Sequence, residues 1–133
     1  MKKIVALMII VPAIAFAGKA EREFKTTKID PAVKEAQASF KKCGCAINIT
    51  FAPEILSSEA NMRQVLFIVE DVTQGSAKYC TDAASKAAVC KMKSLEIKHG
   101  ATSGFEFKNG HGVATTDGQM NPSFDAMTAK LDT

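Results

Sequence analysis

The residues with the most chemistry to offer are four cysteines and two histidines. Cys43 and Cys45 flank a single glycine, Cys80 and Cys90 follow at wider spacing, and His99 and His111 come later. Four cysteines permit three pairings. A bond within Cys43-Gly44-Cys45 would close a very small, strained ring. One unbroken helix would hold Cys80 and Cys90 about 15 Å apart along its axis, an objection that a bend near Thr81 removes. Spacing therefore favours two structural bridges from the Cys43/Cys45 corner to Cys80 and Cys90. Each closes a loop of tens of residues and contributes on the order of 3–4 kcal/mol.

Three other chemistries compete for these residues. A Cys43-Gly44-Cys45 redox pair is the sharpest, because a strained local disulfide is easily reduced and Lys41 and Lys42 favour a thiolate. The segment does not open a helix after a strand, however, as a thioredoxin-like site does. A metal centre would draw on Cys43, Cys45, Cys80, Cys90, His99 and His111. One cysteine pair is too tight and the other too wide for the usual Cys-x2–4-Cys spacing, so no metal is expected. A serine hydrolase needs a nucleophile on a strained turn with a base in reach. No Gly-x-Ser-x-Gly segment occurs, and Ser103-Gly104 near His99 is the nearest candidate. Glu70-Asp71 point about 100° apart on a helix and form no acid–base pair. No cofactor motif is present.

The start of the chain says where such cysteines would oxidise. Lys2 and Lys3 precede an apolar stretch, Ile4 to Ala17, that ends in Ala15-Phe16-Ala17, the pattern of a cleavable signal peptide. Fourteen residues of helix reach about 21 Å, short of a hydrocarbon core of roughly 30 Å. Cleavage before Gly18 leaves 116 residues, one domain's worth. Two of the 17 Lys and Arg leave with the leader, so 15 basic residues stand against 14 acidic ones. That balance gives no electrostatic reason to expect nucleic acid as a partner. Asn48-Ile49-Thr50 matches the glycosylation acceptor pattern, here a mark of the exposed strand face.

The elements that position these residues follow from periodicity. Residues 18–29 are polar, either a loose tail or a short edge strand. Asp30-Pro31 predicts a helix start, with Val33, Ala36 and Phe40 on its buried stripe and Gly44 closing it after Lys42. Cys45, Ile47, Ile49 and Phe51 alternate with Ala46, Asn48 and Thr50, which predicts a half-buried strand. Met62, Val65, Leu66, Val69 and Val72 fit one helix face, although the run Val65–Val69 is equally readable as a buried strand. If helical, it is buried on more than one side, with Gly75 as a break or kink. The Ala-rich segment Asp82 to Lys91 reads as a further helix.

Leu95 and Ile97 mark another strand. Asn109-Gly110 predicts a two-residue hairpin that sets Lys108 against His111, Phe107 against Gly112 and Phe105 against Ala114. Charge matching then places Ile97 opposite Phe107, Lys98 opposite Glu106 and Glu96 opposite Lys108, with Gly100 to Gly104 as the loop. Asp117-Gly118 reads as a turn. Asn121-Pro122 repeats the cap-plus-proline start, before a helix carrying Phe124, Met127 and Leu131.

The expected fold is α+β, with helices packed on one face of a mainly antiparallel sheet of about four strands. Its C-terminal part is a three-stranded meander followed by a helix. Its organisation is a signal peptide over 1–17, a polar segment over 18–29, and one disulfide-stapled domain over 30–133. The functional expectation is a periplasmic or secreted binding domain, not membrane-spanning after cleavage, that contacts a protein or envelope component. The outward faces of the meander are the expected surface. A thiol-disulfide protein using Cys43 and Cys45 is the first alternative, and a small exported hydrolase the second.

Overall fold

The computed structural model describes residues 18–131, and the expected signal peptide over Met1–Ala17 lies outside them. Helix α1 is α-helical over Lys19–Phe24, widens to a π turn over Lys25–Ile29, and is α-helical again over Asp30–Lys42. Strand β1 (Asn48–Phe51) and a 3-10 turn (Pro53–Ser57) lead to the long helix α2 (Glu59–Tyr79) and the short helix α3 (Ala83–Val89). Strands β2 (Ser94–His99), β3 (Gly104–Lys108) and β4 (His111–Thr116) precede helix α4 (Phe124–Leu131).

Residues 18–29 are thus neither tail nor edge strand; the α-helix Asp30–Lys42 has the expected bounds, but Asp30-Pro31 continues a helical chain rather than opening one. The polar segment is tied along its own helix. Thr26 and Thr27 hydroxyls donate to the Arg22 and Glu23 carbonyls, Lys25 Nζ reaches Asp30 Oδ1 at 2.9 Å, and Ile29 is fully buried. Proline inside a helix lacks a donor, and its ring collides with the carbonyl four residues back. Here the turn ahead of Pro31 is wider, with Asp30 N–H bonding Lys25 O, five residues back. That register makes room for the ring without ending the helix.

The Val65–Val69 run is helical, within α2. Met62, Val65, Ile68, Val69 and Val72 are buried, but Phe67 is 54% exposed, so one side of the helix faces solvent. Gly75 does not break it. A Cβ at this position would strike the Phe124 ring, so glycine here is a packing surface for α4. Ser39 on α1 and Ser76 on α2 are both buried and satisfy each other across the interface, Oγ to Oγ 2.7 Å.

The four-stranded sheet has the order β1-β2-β4-β3 and is mixed rather than mainly antiparallel. β1 and β2 are parallel, β2 and β4 are parallel, and only the β3–β4 hairpin is antiparallel. The hairpin has the expected register, Lys108 to His111, Phe107 to Gly112 and Phe105 to Ala114, around Asn109 and Gly110 at positive φ. The expected meander does not form. Ile97 lies opposite Ala114, Lys98 opposite Thr115 and Glu96 opposite Val113, so β2 makes no pairing with β3. Two strand spacings are about 10 Å, which the residues between His99 and Gly104 span easily. β4 takes the interior place because its core side is small: Gly112 lets the Phe105 ring and Met92 Sδ close over it, and Ala114 is fully buried.

The described helices lie on one face, over Ile49, Leu95, Ile97, Phe105 and Ala114. Phe40, Met62, Ile68, Phe124, Met127 and Leu131 fill the space above them. Each such side chain contributes roughly 1.5–3 kcal/mol by leaving water. α4 begins at Phe124 rather than at Asn121-Pro122. The Phe124 N–H is capped at 2.6 Å by Asp71 Oδ2 from α2, while Asn121 Nδ2 donates to Gln64. Among the described residues, no helix is long and apolar enough to cross a membrane.

Candidate functional site

The corner that closes α1 gathers the sulfur chemistry. Gly44 takes φ 98°, which turns the chain out of the helix and sets Cys43 and Cys45 on different sides of the bend. Cys43 bonds Cys80, at the end of α2, with Cα atoms 5.4 Å apart. Cys45 bonds Cys90, at the end of α3, with Cα atoms 5.7 Å apart. The chain between Cys80 and Ala83 turns away from the axis of α2, which separates the two bridges. No cysteine is free, and Cys43 is 5% exposed. The corner therefore holds two separate cross-links rather than one dithiol, and Cys43 offers little surface to an attacking thiolate.

The histidines go to different places. His99 stands at the end of β2, near the Asp117-Gly118 turn, and Ser103 lies in the loop that follows. Asp117 is fully engaged in its own turn, accepting from Gln119 N–H at 2.9 Å and Met120 N–H at 2.7 Å. Those backbone donors hold its carboxyl below the ordinary range. Among the described residues, no hydrogen bond joins Ser103 to His99.

His111 has more company. The parallel β2–β4 register sets it beside Ser94, whose hydroxyl hydrogen-bonds His111 Nδ1. Glu96 Oε1 lies 4.0 Å from His111 Nε2. A serine, a histidine and a carboxylate thus meet on the open side of the sheet, a grouping that sequence reasoning missed. The two-residue spacing put Ser94 and Glu96 on one face of a strand. Only the position of β4 beside β2 brings in His111. Two surface depressions among the described residues do not include the group. One, of about 550 Å³, is lined by Gln37, Lys41, Gly44, Cys45, Ala46 and Ile47. The other, of about 630 Å³, lies under the hairpin turn. Among the described residues, no three His, Cys, Asp or Glu side chains are placed to hold a metal ion.

The trio is one part of a larger surface. The face of the sheet opposite the helices is uncovered among the described residues, and register sets it in rows. One row runs Asn48, Ser94, His111, Lys108, and the next Thr50, Glu96, Val113, Glu106. A third holds Lys98, Thr115 and Gly104. No family model, curated protein or solved structure matches this chain. The open face, with acid, base and hydroxyl groups set around Val113, is thus the candidate site on physical grounds alone. Its groups are solvated, half-exposed and held on a rigid sheet, an arrangement suited to recognition. A hydrolase needs in addition donors converging on a developing oxyanion in a site that excludes water. The strand surface around Ser94 offers no such cavity among the described residues.

Proposed function

We propose that this chain is an exported, disulfide-stapled domain that acts by contact with a protein or envelope component, through the open face of its sheet. The observation that carries the reading is the uncovered face itself. Four strands present ordered rows of polar and charged side chains, with none of the described residues laid over them. A rigid surface costs little entropy to dock, because its side chains are already placed. Two bridges that tie α1, α2, α3 and the approach to β1 together support that rigidity, and they fit an oxidising compartment. The pattern of Met1–Ala17 supports the same compartment.

The test is a photo-crosslinking amino acid at Val113, at the centre of the face, with the same group at exposed Lys86 on α3 as control. The precursor is produced in the cells that make it, and the extracytoplasmic fraction is irradiated. A discrete adduct from position 113, absent from position 86, is expected. Equal labelling from both positions, no adduct, or retention of the protein in the cytoplasm with reduced cysteines overturns the reading.

A further inference from the structure

Each edge of the sheet has one carbonyl held by a helix side chain and leaves further outward backbone groups without a hydrogen bond among the described residues. At the β3 edge, the backbone groups of Phe105 point away from β4, and its carbonyl accepts from Lys130 Nζ of α4 at 2.8 Å. At the β1 edge, Asn48 N–H donates to Lys93 O and Ala52 N–H to Ile97 O, each at 3.0 Å. Backbone groups of a strand point alternately to either side. The N–H and C=O of Ile49 and Phe51 therefore point away from β2, and no hydrogen bond among the described residues reaches them. Just before them, the Ile47 carbonyl accepts a long bond, 3.4 Å, from Gln37 Nε2 of α1. β1 itself carries none of the charges, prolines or bulges that usually protect an exposed edge.

The helix beside this edge supplies a second feature. Lys34, Gln37 and Lys41 recur at positions that share one face of α1. Gln37 and Lys41 line the depression of about 550 Å³ whose floor is Gly44 to Ile47, at the approach to β1. Neither Lys34 nor Lys41 is in an ion pair among the described residues. Among the described residues, an open strand edge thus lies next to a depression with Lys41 on its wall, and Lys34 shares that face of the helix two turns earlier.

We propose that β1 is a strand-addition site for an extended acidic segment of a partner protein. The segment pairs its backbone with Ile49 and Phe51 and lays its carboxylates along Lys34 and Lys41. The proposal rests on the contact reading above and adds to it the mode of docking and the chemistry of the partner. A second copy of this chain fits less well, since pairing β1 with β1 brings two such basic helices to the same seam.

The test uses the isolated, disulfide-bonded protein labelled with 15N. The probe is a short peptide of alternating valine and glutamate, blocked at both ends, beside a twin in which lysine replaces glutamate. In the free protein the Ile49 and Phe51 amides should exchange freely with solvent while Thr50 is protected. Saturating glutamate peptide should slow both by roughly tenfold or more and shift the β1 resonances. The lysine peptide should bind roughly tenfold more weakly, as should the glutamate peptide with the exposed substitution Lys41→Glu. Protection of both amides in the free protein, including a concentration-dependent protection that marks self-pairing, overturns the proposal. So do absence of binding, equal binding of the two peptides, or shifts confined to Ser94, Glu96 and His111. The Val113 cross-link judges the contact reading separately: an adduct there with a silent β1 removes the edge proposal alone.

Discussion

Phe124 lies against Gly75, ring on bare backbone, so that α4 seats on α2 at the one position of that helix with no side chain. Tyr79, one turn further along, completes the contact with its ring centroid 5.9 Å from that of Phe124, and its hydroxyl donates to Asp125 at 2.6 Å. That carboxylate, held by the phenol, raises the Tyr79 pKa above its ordinary value.

The pair makes a reversal of the usual helix rule. In an exposed helix, Gly→Ala stabilises by about 1 kcal/mol. Gly75→Ala should instead destabilise by about 1–3 kcal/mol, because its methyl overpacks the Phe124 contact. Phe124→Ala should cost about 3–5 kcal/mol. In that background the Gly75→Ala penalty should vanish or change sign. Denaturant melts of the four variants check this, and additive effects would refute the packing account.

Removing the cross-links in pairs should separate connectivity from stability. Cys45→Ser with Cys90→Ser should leave no reactive thiol and lower stability by about 4 kcal/mol. Cys43→Ser with Cys80→Ser should behave alike. Cys45→Ser with Cys80→Ser strands one sulfur of each bridge and should yield two titratable thiols or a mispaired, destabilised protein. Thiol counts under denaturing conditions decide. A thiol-free crossed pair that loses only the stability of a single bridge, while the other two double variants each expose thiols, would mean the opposite connectivity.

Acid should loosen two turns. Asp82 caps α3 through Ser85 N–H at 2.8 Å, and that backbone bond holds its carboxyl below the ordinary range, as Met120 and Gln119 do for Asp117. Folding favours the charged form of both. Their contribution is therefore complete above the ordinary carboxylate pKa of about 3.9 and is lost as pH falls through the lower folded values. Asp82→Asn and Asp117→Asn should flatten the fall in melting temperature below about pH 4. An unchanged acid slope in the double variant would assign that slope to other groups.

Ser94 should behave as an ordinary hydroxyl. Although it bonds His111 Nδ1 with Glu96 nearby, it stands on an open strand. A fluorophosphonate should leave it unmodified at concentrations that label an activated serine fully. Stoichiometric, Ser94→Ala-sensitive labelling would restore the hydrolase alternative.

Local patterns were legible where local forces decide. Asn109-Gly110 carries the conformational permission for a tight hairpin, and Phe105, Phe107, Gly112 and Ala114 follow from that turn by counting. Helical spacing gave the buried stripes of α2 and α4. Ring strain within Cys43-Gly44-Cys45 was enough to point its sulfurs outward to Cys80 and Cys90. Pro31 misled, because a missing donor marks a helix start only when the preceding turn cannot widen to accommodate it.

The amino-acid order by itself determined which residues are apolar at which period, where the chain can turn, and which sulfurs are too close to pair. Those are properties of a few neighbouring residues. The tertiary structure alone decided that β4 lies between β2 and β3, since strand order depends on which side chains fit together under the helices. Gly112 and Ala114 fit beneath them where bulkier residues would not. From that one choice follow the mixed sheet, the meeting of Ser94, Glu96 and His111, and the exposure of β1 as an unpaired edge.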